Sequence, residues 1–323
     1  MNNLKKIGLT ALAGSMVAFS AQALEMSVSG TAKMTFVDEG GSANNMDVTG
    51  NPYGFDQTVA FNGSGDSPLG TISLMHVHSG SATSSSLLTI DMGDSGKLTL
   101  DNGVGAEGAG TLKDKLPRAS GAEQAWDDTD GDNYYIDTSS AGAWGYSNTF
   151  GGLSLSVGYA KNGGGFTGDD SNTDAGEASD KSIALTMSVM DGMSVGYGYA
   201  ETDGGNLGNN IEQTGYVTYA AGPVTLGYQM TDIDKEAVGS DNNSTMYGIA
   251  VNMNDNASIS YNRRKVELAD DNMTTADHKD TGIAASYTVG NMTVSAFNNK
   301  ANNVGGTADK EDEVTQVTVS FAF

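Results

Sequence analysis

From Leu24 onward, apolar and polar residues alternate with period two. Met26, Val28, Ala32, Met34 and Phe36 interleave with Ser27, Ser29, Thr31, Lys33 and Thr35. The same rhythm returns in Leu153–Tyr159, Ile183–Val189, Met193–Tyr199, Val224–Met230 and Tyr247–Met253. Strict alternation of this length predicts strands with one apolar and one polar face. The connectors carry a second rhythm. Tight joints of turn-forming residues occur at Gly63–Pro68, Gly93–Gly96, Gly151-Gly152, Asp191-Gly192, Ala221–Pro223, Asn254–Asn256 and Gly290-Asn291. Between them lie longer polar stretches at 38–53, 79–85, 102–141, 161–180, 201–210, 231–244, 267–280 and 299–311. Seven short turns and eight long loops predict sixteen strands, an even count that would leave both ends of the chain on the short-turn side. No helical periodicity interrupts the pattern.

Two all-β architectures produce such alternation. In a sandwich the apolar faces bury against each other. In a membrane barrel they face lipid while the polar faces line water. Short turns gathered on one side and long loops on the other favour the barrel. Tyrosines near strand ends, such as Tyr159, Tyr199, Tyr219 and Tyr261, would then form interface girdles.

Composition narrows the class. Glycine is abundant (44), proline scarce (4), and hydrophobic residues make up 38%, too few long aliphatic side chains for a thick dry core. Lys5 and Lys6 precede an apolar stretch from Ile7 to Phe19 and then Ala21-Gln22-Ala23. This reads as a secretory signal peptide over residues 1–23, cleaved after Ala23, with residues 24–323 forming the exported unit. There is no cysteine, which excludes disulfides, thiol chemistry and cysteine-based zinc sites. Removal of Lys5 and Lys6 takes 16 basic residues to 14 against 40 acidic ones, a charge of about −26. Such a field repels nucleic acid and favours cations.

The last residues, VTVSFAF, alternate Val317, Val319, Phe321 and Phe323 with polar or small residues. This resembles the terminal strand of outer-membrane barrels, whose final aromatics, here Phe321 and Phe323, are read by the barrel-insertion machinery. Together with the signal peptide, the opening strand EMSVSGTAKMTF, the strand GKLTLDNG and the long third loop, the chain resembles a Gram-negative general-diffusion porin of the alphaproteobacterial type. The resemblance spans the whole mature chain. It implies a 16-stranded antiparallel transmembrane β-barrel, usually a homotrimer, in the outer membrane among lipid and lipopolysaccharide. It also implies a third loop, 102–141, folded inward so that acidic loop residues face basic residues on the wall. Physics agrees with a pore, because sixteen to eighteen strands enclose an aqueous channel and the inward side chains here are too short to fill it.

The charges can be placed on this frame. Loop 102–141 contains Glu107, Asp114, Glu123, Asp127, Asp128, Asp130, Asp132 and Asp137, while Lys113, Lys115 and Arg118 all precede Glu123. Folded into the lumen, Glu123, Asp127, Asp128, Asp130 and Asp132 would form one acidic side of a constriction; left outside, they are a solvated charge run. Parity puts Lys33, Lys97 and Arg264 on the polar face as the basic wall, and sends Arg263 outward to the membrane interface. That wall is thinner than the arginine clusters of the family, so the expectation is a water-filled channel for small hydrophilic solutes that prefers cations.

Three other chemistries deserve weighing. The stretch AWDDTDGDNYY offers Asp128, Asp130 and Asp132 around Gly131, a partial match to an EF-hand loop without the helices or the final Glu. No cofactor is required; Ca2+ is an expected occupant of these acids. His76 and His78 share a strand face, as a metal pair or as channel wall, with ambiguous parity; His278 falls in a long loop and is expected to be solvated. There is no H-E-x-x-H and no oriented nucleophile, so no enzyme is expected. Two rivals remain: a substrate-selective channel with Trp126, Tyr134 and Tyr135 as an aromatic slide, and a secreted acidic, calcium-stabilised sandwich.

Overall fold

A computed structural model describes residues 25–42, 51–129, 134–138, 141–161, 179–203, 208–236, 241–269 and 275–323. The signal peptide expected over 1–23 lies outside them. Sixteen strands follow in order: β1 Glu25–Gly41, β2 Tyr53–Ser67, β3 Gly70–Ser79, β4 Ala82–Asp91, β5 Lys97–Asn102, β6 Ala141–Phe150, β7 Leu153–Lys161 and β8 Ser179–Met190. The second half comprises β9 Met193–Asp203, β10 Asn209–Ala221, β11 Val224–Asp234, β12 Asn242–Asn252, β13 Ala257–Leu268, β14 His278–Val289, β15 Met292–Asn302 and β16 Glu311–Ala322. Every strand pairs antiparallel with its sequence neighbours, and β1 also pairs with β16, so the sheet closes into a barrel.

Closure leaves no open edge. At the seam Gly30 N donates to Phe323 O at 2.8 Å and Phe323 N donates to Gly30 O at 3.0 Å. The Phe323 ring lies over Gly30, where a side chain would meet it at 2.7 Å and the Thr58 carbonyl at 2.8 Å. Phe321 is opposite Ala32 and points outward with it.

Alternation sorts the faces as the sequence pattern predicts. Met26, Val28, Phe55, Tyr219, Ile283 and Tyr287 are exposed on the outer wall, with no protein to cover them. An exposed apolar surface of this extent fits a lipid-facing belt. Two connectors differ from the sequence reading. Residues 79–85 are not a long loop: β3 and β4 run up to a two-residue turn at Gly80-Ser81, with a register shift at Val77/His78. Gly80 adopts φ 57°, which a tight turn needs, and the Ser/Thr run after it fits strand as well as loop. Similarly, Gly63–Ser67 belongs to β2, and the turn shrinks to Pro68-Leu69.

The long connector between β5 and β6 turns into the barrel. A 3-10 turn at Gly108–Leu112 packs on β7, β8 and β9. Farther on, Leu116, Ala125 and Trp126 cluster with Met246 of β12, and Ala119 and Ala122 cluster with Ala284, Phe297 and Val314. The packed core is therefore loop against wall, not sheet against sheet. The wall makes room for it with glycines of ordinary strand conformation. A Cβ at Gly198 would meet Ala109 and Leu112 at 3.2 Å, one at Gly282 would meet Ala125 at 2.7 Å, and those at Gly145, Gly158, Gly227 and Gly248 would press on Glu107, Leu116 or Pro117.

Gly30→Val is expected to displace the Phe323 ring and cost on the order of 1–3 kcal/mol. Thermal conversion of the folded to the unfolded electrophoretic form would read this, and an unchanged conversion temperature would show that the seam tolerates the side chain.

Candidate functional site: a loop folded into the barrel

Seven inward-facing side chains from six strands hold the loop by its backbone. Ser156 Oγ accepts from Gly108 N at 2.9 Å. Gln229 Nε2 donates to Leu112 O at 2.7 Å, while its Oε1 accepts from Lys115 N at 3.0 Å. Asn262 Nδ2 donates to Pro117 O at 2.9 Å, and Ser258 Oγ accepts from Ser120 N at 3.0 Å. Asn299 Nδ2 reaches Gln124 O at 2.7 Å and Asp127 O at 2.9 Å. Ser244 Oγ donates to Tyr134 O at 2.6 Å, and Glu212 Oε2 accepts from Asp137 N at 2.9 Å. Backbone groups taken out of water need such partners. The holders were missed in the sequence reading. Their signal was there: Gln229, Asn262 and Asn299 are amides at inward positions that elsewhere carry Ser, Thr, Gly or Ala.

The loop covers the inner face from β6 to β16, touches β5 at its root and β1 at Val37, and leaves the rest of β1 to β5 open. Inward positions on the covered side are buried, among them Ser182, Thr214, Gln229, Ser260 and Asn299. On the open side the inward register carries Glu25, Glu39, Asp56, Asp66 and Asp91 but only Lys33 and Lys97 in reach of water. All seven are exposed or half-buried.

The predicted lip divides. Asp128 is exposed and takes a left-handed backbone, φ 59°, while Asp127 and Glu123 are half-buried. Asp130 and Asp132 lie outside the described residues. Asp128 reaches solvent, but the loop around it removes part of its hydration; this and the Asp127 charge raise its pKa, and the Lys33 ammonium on β1 opposes them. The Lys33 charge is therefore felt at Asp128. Burial likewise raises Asp127, against a hydrogen bond from the Gln124 amide and with the Glu123 charge. Asp114 is raised by burial and by Asp127, although Trp126 Nε1 donates to it at 3.2 Å. Arg118 comes to 4.0 Å from Glu123, so the loop's own cations partly offset its acids.

Lys97 is on the inner face but pairs with Asp91 at 2.9 Å beside the Gly93–Ser95 turn, at the short-turn mouth instead of next to the acidic loop. Arg264 corrects the sequence reading. It points inward as parity requires, yet it is wholly buried, because the loop lies over it. Its Nε donates to Asp280 Oδ2 at 2.6 Å, so it is no free cation on the channel surface. His278, expected in solvent, starts β14 fully buried and donates from Nε2 to Asp280 Oδ1 at 2.9 Å. Trp126 and Tyr134 are buried too, while Tyr135 is half-buried under the Lys113 ammonium at 4.0 Å, so these aromatics do not form a slide along the lumen. His76 and His78 register with Phe61 and Val59 on the outer face, with His76 Nδ1 2.7 Å from Ser86 Oγ, so they are not channel wall. Among the described residues no group of three or more metal-ligating side chains forms.

At the root of the loop Asp101 is fully buried, accepting from Val104 N and Ala106 N at 2.7 Å each. Glu107 sits beside it in the notch left by Gly145 and Gly158, with neither carboxyl oxygen hydrogen-bonded. Burial, then the Asp101 carboxyl, pushes the Glu107 pKa up to about 8. The seat favours the neutral acid.

Sixteen antiparallel strands enclosing an inward loop and a water-facing wall are the geometry of a diffusion channel. A family model described as Gram-negative porin matches residues 8–323. The chain belongs to the Gram-negative porin family. Solved porins share its fold. The anion-selective porin from Comamonas acidovorans is 15% identical with a TM-score of 0.63, covering 93% of this chain and all of its own. A mutant of Rh. blastica porin is 14% identical with a TM-score of 0.63 over the same shares. Salmonella typhi OmpF in complex with daunomycin is 13% identical with a TM-score of 0.64, covering 94% of this porin and all of OmpF. No curated protein sequence matches. The family and fold are those of outer-membrane diffusion channels, which make and break no bonds.

Glu107 gives this porin a pH dependence with a definite sign. Its pKa is higher when the loop is docked than the ordinary 4.5, so the docked state binds the proton more tightly. Docking is favoured fully below about pH 4.5 and weakens as pH rises through about 8. Thermal stability in detergent should fall over that window, and Glu107→Gln should remove most of the slope. An equal slope in the variant would show that the loop root does not titrate.

Proposed function

We propose that this porin is a general channel for small hydrophilic solutes and ions with a preference for cations. The observation that supports this most is the charge of the open wall: five carboxylates, Glu25, Glu39, Asp56, Asp66 and Asp91, against two ammoniums, Lys33 and Lys97. The exposed Asp128 adds to the same field from the loop side. Arg264, the cation that would have balanced it, is sealed away. A channel whose low-dielectric walls carry one dominant sign concentrates counter-ions. Burial of Trp126 and Tyr134 speaks against a selective channel with an aromatic slide, and the lipid-facing belt speaks against a secreted sandwich.

Diffusion through such an opening requires no cofactor. Ca2+ enters the proposal as an occupant of the acidic lip at Asp128, Asp130 and Asp132. The outer apolar belt is suited to outer-membrane lipid and lipopolysaccharide and to a homotrimer, and Phe321 and Phe323 are proposed as the signal read by the insertion machinery.

Planar-bilayer recording tests the reading. Reversal potentials in a salt gradient are expected to carry the cation sign, and the preference should fade between 0.1 and 1 M salt, as the Debye length drops from about 10 to about 3 Å. Lys33→Glu should strengthen the preference and Asp128→Asn weaken it, each by roughly twofold in permeability ratio if a single near charge is added or lost. Anion preference in the wild type would overturn the proposal.

A further inference from the structure

We propose that Arg264 is the positioning residue of the constriction: its buried guanidinium clamps the acidic loop to the wall by gripping Trp126 and Tyr134. The inference rests on the reading of the inward loop as the constriction.

The geometry has a wall side and a loop side. On the wall, Arg264 of β13 donates to Asp280 of β14 at 2.6 Å, and Asp280 is steadied by His278 at 2.9 Å. All three side chains are wholly buried. This leaves the guanidinium's two terminal nitrogens, which are buried and form no hydrogen bond. What they meet is aromatic. The guanidinium carbon lies 5.3 Å from the Trp126 ring and 5.3 Å from the Tyr134 ring. A planar cation between two ring faces recovers part of the hydration it has lost. His278 also packs on Tyr134, with ring centroids 5.3 Å apart.

Both rings belong to the loop, and between them in sequence stand Asp127, Asp128, Asp130 and Asp132. One wall residue thus grips the chain on either side of the acidic run. The dependence is mutual. Without the rings, the terminal nitrogens would face the lumen as a cation beside the eyelet; without the cation, the rings would lose the charge they pack on. Lifting the loop would widen the opening and add a positive charge to it in one motion. A structural ion pair alone would do neither.

The test uses the full-length porin refolded in detergent, with folding verified by heat-modifiable mobility. Arg264→Met combined with Asp280→Asn removes the charge without stranding its partner in the wall. Trp126→Leu leaves the ion pair intact and removes one jaw. Both are expected to raise single-channel conductance, on the order of twofold if the freed loop opens the narrowest section; Trp126→Leu, which keeps the guanidinium and uncovers it, should also lower the cation preference. Arg264→Lys should restore only part of the wild-type behaviour, because an ammonium is a point charge that cannot lie flat on two rings. Trp144 is the second of the two tryptophans. In a Trp144→Phe background, acrylamide should quench Trp126 more strongly once Arg264 and Asp280 are replaced. Folded variants with wild-type conductance and an equally shielded Trp126 overturn the clamp. If the Arg264 double variant does not fold, unchanged conductance in Trp126→Leu overturns it alone. A folded wild type that conducts nothing overturns the channel reading, and the clamp with it.

Discussion

Everything in this molecule depends on the pairing of β1 with β16. A sheet this wide, apolar on one side and polar on the other, has two free edges until it closes. In lipid an unpaired edge is intolerable, since no water is present to satisfy its backbone. Closure removes the edges and at the same time creates a lumen that the inward Ser, Thr, Gly and Ala side chains cannot fill. The inward loop follows from that vacancy. It supplies the packed core that a soluble domain would build between two layers, and it builds it on one side of the lumen only.

That one-sidedness organises the electrostatics. The covered half of the wall spends its polar side chains on the loop backbone, as Gln229, Asn262 and Asn299 illustrate. The open half keeps its charges for water. Carboxylates on the loop are held partly out of solvent, which raises the pKa of Asp114, Asp127 and Asp128 and moderates the field they project. The Lys33 charge opposes this rise at Asp128.

The strand count, the facing of the strictly alternating strands and the position of the long loop were legible in the sequence, because alternation and turn chemistry act locally; the parity of β3 was not. The two connectors misjudged, 79–85 and Gly63–Pro68, are rich in Ser and Gly, residues that a barrel wall and a turn use alike. Parity correctly put Arg264 inside. It could not say that a segment more than a hundred residues earlier would lie over it, and so a buried clamp was read as a pore charge. The same blind spot affected Trp126, which looked like lumen lining, and His278, whose loop-like surroundings concealed a place in β14. Facing is a local property of a strand; coverage is a property of the whole chain.

The wall glycines carry this further. Gly145, Gly158, Gly198, Gly227, Gly248 and Gly282 lie where the loop passes, and none of them needs a left-handed backbone. They are a mould: the route of the loop is recorded in the barrel as missing side chains. The bore of the channel is thus inherited jointly. A constriction loop grafted from a relative would have no seat here, because the recess it needs would be filled by another barrel's side chains, and this loop would find no recess there. Pore size in such a lineage can drift only when wall and loop change together, with the permissive step falling on residues that never touch the permeating solute.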